Sequence, residues 1–250
     1  GVSNPKHELE IGFATFTDPL GEYTKQGLII SRESVGLSGP GQGLAPFDVK
    51  YINGRYYMFV TAIYSNVDIR IATLESTDLI NWNNYKVIFD YYQRNHAPFI
   101  LLDPDDNEKL IMYFSYIPEG GTCYRIGRAK ASITDLSFWE NDSVNNPVLV
   151  IRSEFSVYPC VIYDGENYNL YYARSVGDKF KIYRTLSTDG ANFNNLYGNV
   201  LILNVEPYPA WDSGYVTVPR IYNFDGNTFL YFSARKYGEN YYSGIGNINL

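Results

Sequence analysis

The chain has 250 residues and a formal net charge of −7, from 27 acidic and 20 basic side chains. Such a balance argues against the basic face that nucleic-acid binding needs, and no apolar run reaches the roughly 18 residues of a membrane-spanning helix. Tyrosine is the outlier at 25 residues, beside 14 Phe and 3 Trp; aromatics suit the pleated, half-buried surface of a sheet, and phenol hydroxyls suit its wet edges.

The first legible element is the stretch IGFATFTDPLGEYTKQGLII, residues 11–30. Its opening resembles IRIATLESTD at residues 69–78, so it reads as the outer half of a repeated module (residues 8–30). Ser31 to Gly43 holds four glycines and one proline and reads as a loop. Four fuller modules follow, at about 44–90, 95–151, 155–203 and 212–250. Each runs Pro, short apolar strand, tight turn, aromatic strand, third strand, and three of them go on to an Asp and an aromatic. Pro46, Pro98, Pro159 and Pro219 open them at intervals of about 50–60 residues, the period of a propeller blade.

The turn chemistry agrees. Asn53-Gly54, Asp164-Gly165 and Asp225-Gly226 offer the positive φ of two-residue hairpins, and Asp106-Asn107 offers it less well. The flanking runs alternate with period 2, and no segment sustains a 3.6-residue period, which predicts almost no helix. The expected fold is all-β: a single-domain five-bladed β-propeller over residues 1–250. Its blades are four-stranded and antiparallel, with one incomplete or composite between the termini. Closing a ring leaves only short protected edges. Cys123 and Cys160 are too few for a disulfide framework and are expected to be small buried residues. Trp82 and Trp139 recur in the same Asp-Leu-x-x-Trp setting, which points to blade packing. No phosphate loop or metal-ligand spacing is present, so no cofactor or metal is expected.

The stretch APFDVKYINGRYYMF, with STDLINW behind it, resembles the blades of glycoside hydrolase family 43, and the third and fourth modules equally resemble the wider group that includes family 32. The resemblance implies a carbohydrate-active propeller acting on polysaccharides. Family 43 catalysis is by inversion, with two carboxyls roughly 6.5–9.5 Å apart and a partly desolvated acid. The family's positions are not matched here. The strand that carries the base has no counterpart, Ala97 stands where an Asp precedes Pro, and Val157 stands where the acid Glu is expected. The Asp of the family's Trp-Ala-Pro-Asp survives as Asp48, displaced by the inserted Phe47.

The residues after each module proline should line the axis: Phe47 or Asp48, Phe99, Cys160 and Arg220. Asp48, in an apolar strand, needs a partner or a function, and Arg220 is a candidate for either. Arg220 also suits a carboxylate, including that of an acidic sugar. Glu154, in the loop before Pro159, is the best remaining general acid. His96 can titrate near neutral pH and forms a compact polar cluster with Arg94 and Asn95. Asp212 is a further carboxylate, and Trp211 a stacking platform for a sugar. The expected function is glycan or polysaccharide recognition at an axial pocket without the standard catalytic set. The alternative is a glycoside hydrolase built on Asp48 with Glu154 or Asp212. The outer rim leaves room for a protein partner. An extracellular or periplasmic location is expected ahead of a cytoplasmic one.

Overall fold

The computed structural model describes residues 9–151, 154–194, 199–204, 213–235 and 241–247. Seventeen strands and one 3-10 turn, Glu33–Val35, make up the described elements. β1 (Ile11–Thr15) and β2 (Thr24–Ile30) form a two-stranded sheet. β3 (Gly43–Ile52), β4 (Arg55–Ile63), β5 (Ile69–Ser76) and β6 (Asn83–Phe89) form the next, in chain order. β7 (Gln93–Leu102), β8 (Lys109–Ile117), β9 (Arg125–Ser132) and β10 (Asp135–Asn141) repeat it. So do β11 (Ser156–Tyr163), β12 (Tyr168–Val176), β13 (Lys179–Ser187) and β14 (Val200–Leu203). β15 (Tyr215–Phe224), β16 (Asn227–Arg235) and β17 (Tyr241–Asn247) form a three-stranded antiparallel set, joined to the preceding one by a single parallel bridge, Phe180 to Tyr215.

Neighbouring sheets pack face to face in chain order, with the core between them. Phe59, Ile71 and Phe89 of one sheet meet Ile100, Met112, Phe114 and Trp139 of the next. Phe99, Ile111 and Tyr113 meet Cys160, Leu170 and Tyr172, and β1 and β2 add Ile11 and Ile30 to the outer flank of the β3–β6 sheet. Each sheet alone exposes an apolar face; stacking the repeats removes it from water.

The turns follow the sequence in two of the three expected places. Asn53-Gly54 (φ 49° and 84°) and Asp225-Gly226 (φ 48° and 75°) have both central residues left-handed, the geometry of a two-residue hairpin. Asp164-Gly165 differs, because only Gly165 is left-handed. Asp164 Oδ1 instead accepts from the N–H groups of Glu166 (3.0 Å) and Asn167 (2.7 Å), an Asx turn within a longer loop. Asp106-Asn107 also lies in a longer loop, where buried Asp103 pairs with Lys130 at 2.7 Å. Trp82 and Trp139 play one structural part: each indole N–H donates to the carbonyl three residues back, Leu79 (2.9 Å) or Leu136 (3.0 Å). Cys160 is buried as expected. Cys123 is not, because it sits in the half-exposed connection before β9.

The module prolines mark β-bulges, the place where a strand residue without an N–H fits. The ladder slips between Pro46 and Asp48, His96 and Phe99, Val157 and Cys160, and Thr217 and Arg220. In three of the four, the residue before the proline is left-handed: Ala97 (φ 55°), Tyr158 (φ 59°) and Val218 (φ 53°). A side chain there costs on the order of 1–2 kcal/mol, and the following proline disfavours it further. Hydroxyls of the preceding sheet support two of these bulges. Thr61 Oγ1 accepts the Ala97 N–H, and Ser115 Oγ the Tyr158 N–H, both at 2.9 Å. The bulges re-aim the residues that follow, which is how they position the site.

Candidate functional site

In each antiparallel meander, the start of the first strand and the connection between the second and third strands lie at the same end. These segments therefore share one face of the molecule. A run of half-exposed rings crosses it. Phe47 stacks on Tyr158 at 6.2 Å with an interplanar angle of 13°. His96 meets Tyr158 edge-on at 5.5 Å and Tyr124 at 4.6 Å. Tyr124 meets Phe155 at 6.1 Å, Phe155 meets Phe180 at 6.3 Å, and Phe180 meets Tyr215 at 5.6 Å. The guanidinium of Arg235 lies 5.4 Å over Tyr215 at the far end. Every adjacent pair falls within the 4.5–7 Å range of favourable ring contacts.

Arg220 occupies the inner end of this run. Nε donates to the Phe47 carbonyl at 3.1 Å, and Nη1 to those of Pro159 (3.0 Å) and Pro219 (2.8 Å). It thereby joins the first strands of three sheets. Its charge lies over the rings of Phe47 (5.6 Å) and Phe99 (5.5 Å). Burial pushes the guanidinium pKa down. Nη2 is sealed from solvent and has no partner. His96 shows the same pattern on β7: its Nε2 is buried without a partner. Burial, and then the charge of Arg94, push its pKa down to about 3, so the imidazole is neutral in the folded chain at neutral pH.

Several sequence expectations change here. Asp48 does not pair with Arg220. Its Oδ2 accepts the Ile100 N–H from β7 at 2.8 Å and sits 3.3 Å from Lys50 Nζ. Cys160 does the same two sheets later, its Sγ facing the Ile221 N–H at 3.4 Å. In both, the residue after the bulge covers an N–H of another first strand, because first strands are edges with unpaired donors. Glu154, the expected general acid, is held in an ion pair, since Arg174 Nε binds its Oε2. Arg94, Asn95 and His96 share no hydrogen bond, although the charge of Arg94 reaches His96. Asn95 is fully buried and closes a turn on the main chain of Tyr92. Arg94 instead lines a cleft of about 220 Å³ with Asp68, Arg70, Asp90 and Gln93, at the seam between two sheets. Phe47 and Phe99 do lie with Arg220 as expected. Asp212 and Trp211 lie outside the described residues. Among the described residues, no cluster of His, Cys, Asp and Glu could hold a metal ion.

The covering role of Asp48 has a measurable consequence. Asp48→Asn keeps an acceptor for Ile100 and loses only a partly exposed ion pair, a cost of about 0.5 kcal/mol. Asp48→Ala orphans a buried donor and is expected to cost about 2 kcal/mol. Urea unfolding of both variants checks this; equal losses would contradict the role.

Tyr124, Phe155, Tyr158, Phe180 and Tyr215 were not singled out by the sequence. Their common signal is position: each stands at the start of a first or third strand, at the end shared by all the sheets.

No protein-family model and no curated protein matches the chain. Solved structures do. A thermostable family-43 glycoside hydrolase superposes with a TM-score of 0.63 at 18% identity, over 81% of this chain and 67% of that one. The chain shares the fold of family 43. An endo-arabinase from Bacteroides thetaiotaomicron superposes with a TM-score of 0.68 at 16% identity, over 98% of this chain and 88% of that one. A further glycoside hydrolase gives 0.77 at 16% identity, over 95% and 78%. The family 43 fold accounts for the sheet order and for first strands that converge on Arg220. No helix among the described residues is long and apolar enough to cross a membrane.

Proposed function

We propose that the protein binds carbohydrate at the aromatic face, as a single-domain five-bladed propeller in which the β1–β2 pair and the β15–β17 set are the outermost members of the ring. The observation that carries this reading is the continuous run of half-exposed rings with two buried polar atoms without partners, Arg220 Nη2 at its inner end and His96 Nε2 within it. Sugar rings offer C–H faces that pack on aromatics and hydroxyls that satisfy stranded donors and acceptors. An extracellular or periplasmic location fits a polysaccharide ligand.

Recognition is favoured over hydrolysis because the two described candidate carboxylates are engaged elsewhere, Asp48 with Ile100 and Lys50 and Glu154 with Arg174. Inverting hydrolysis needs both carboxyls facing one bond. A screen of aryl glycosides and of plant and bacterial polysaccharides decides between the two. The expected result is saccharide binding without turnover. Turnover abolished by Asp48→Asn or Glu154→Gln would establish the hydrolase instead.

A further inference from the structure

The charge at the inner end of the aromatic run points to a kind of saccharide. Arg220 brings a full positive charge into a site it shares with Phe47, Phe99 and Cys160. Its three hydrogen bonds all go to main-chain carbonyls, which are neutral. The nearby carboxylate, Asp48, is already neutralised by Lys50 and covered by the Ile100 N–H. Cys160 is a thiol whose pKa is pushed up by burial, so it supplies no negative charge. The guanidinium is therefore desolvated, and the carboxylate of Asp48 acts on it through space without an ion-pair contact, inside a chain whose overall charge is −7. A buried cation in this position is costly until an anion reaches it.

We infer that the saccharide bound at this face carries a carboxylate, as a uronic acid does, and that the half-buried Arg220 side chain receives it once the packing that seals Nη2 in the free chain opens. The inference rests on the carbohydrate-binding reading and narrows it to acidic sugars. Nη2 is the one nitrogen of the fork not already committed, and a charged acceptor turns a stranded donor into a charge-assisted hydrogen bond. The flanking rings Phe47 and Tyr158 then take the apolar face of the sugar ring that bears the acid. The same chemistry explains the arginine: three carbonyl bonds fix the plane of the fork before any ligand arrives, so little side-chain freedom is lost on binding.

The test is calorimetric titration of the full chain with oligogalacturonides, the same oligosaccharides as methyl esters, sulfated galactan oligosaccharides, and neutral arabino- and xylo-oligosaccharides. The free acids are expected to bind, the methyl esters about tenfold or more weaker, and added salt to weaken only the acids. Arg220→Lys keeps the charge and loses the fork, and is expected to weaken the acids more than the esters; its melting curve reports whether it folds. The contrast between acid and ester needs no variant. Methyl esters or neutral oligosaccharides that bind as tightly as the acids would overturn the inference and leave the carbohydrate reading standing. Preference for the sulfated set over the carboxylates would overturn it as well. No binding by any saccharide would overturn both.

Discussion

Replacing Arg220 by methionine is expected to lower the stability of the chain by about 3 kcal/mol, seen as a fall in melting temperature on the order of 10 °C. The side chain donates to the carbonyls of Phe47, Pro159 and Pro219, on the first strands of three sheets. Methionine fills much of the same space and donates nothing. Each buried acceptor left without a donor costs about 1–3 kcal/mol, and relief from carrying a desolvated cation offsets part of that sum. Phe47 and Phe99 also lose the charge that lies over them, a contact worth about 0.5–2 kcal/mol. Differential scanning calorimetry of the two proteins measures the change. A loss under about 1 kcal/mol would mean that these carbonyls are satisfied without the arginine, and that Arg220 does not join the sheets.

Acid should weaken the fold through His96. Its pKa stands at about 3 in the folded chain against roughly 6.5 when unfolded. Because the folded value is depressed, the unfolded chain binds more protons between these limits. The stability is therefore fully present above about pH 6.5 and is lost as pH falls toward 3. At pH 4.5 the loss from this one group is on the order of 3 kcal/mol. His96→Phe keeps a ring between Tyr124 and Tyr158 and removes the titration. Urea midpoints from pH 7.5 to 4.5 should fall more steeply for the native chain than for the variant. Parallel pH profiles would show that the imidazole is solvated in the folded chain.

Most of the architecture could be read from the sequence because it rests on local chemistry repeated several times. Asn53-Gly54 and Asp225-Gly226 fold as their residue types require. The module prolines fall at bulges, and Trp82 and Trp139 fill equivalent positions. Asp164-Gly165 misled because Asp164 can bond to its own turn, and that bond outweighs the preference for a two-residue loop. The site was less legible. That Arg220 and Phe47 belong together, a contact across 173 positions of sequence, could be read only because both follow a module proline. Asp48 read as a charge in need of a partner, Arg220 among the candidates, or of a function. Its acceptor role depends on an unpaired N–H of another sheet, Ile100, that exists only once the first strands converge. The aromatic run escaped notice for a related reason. Tyr124, Phe155 and Phe180 are ordinary sheet residues in their own modules and become one surface only when the sheets are set side by side.

The claim that this surface binds saccharide is tested most directly by calorimetric titration of the native chain beside Tyr124→Ala and Phe155→Ala, with acidic and neutral oligosaccharides. Both rings are half-exposed and outside the packed cores, so the variants should keep the fold. The account predicts saturable binding by the native chain and a loss of about tenfold in each variant, the size of one stacking contact. Binding of undiminished affinity in both variants would contradict it, as would the absence of binding to every saccharide offered.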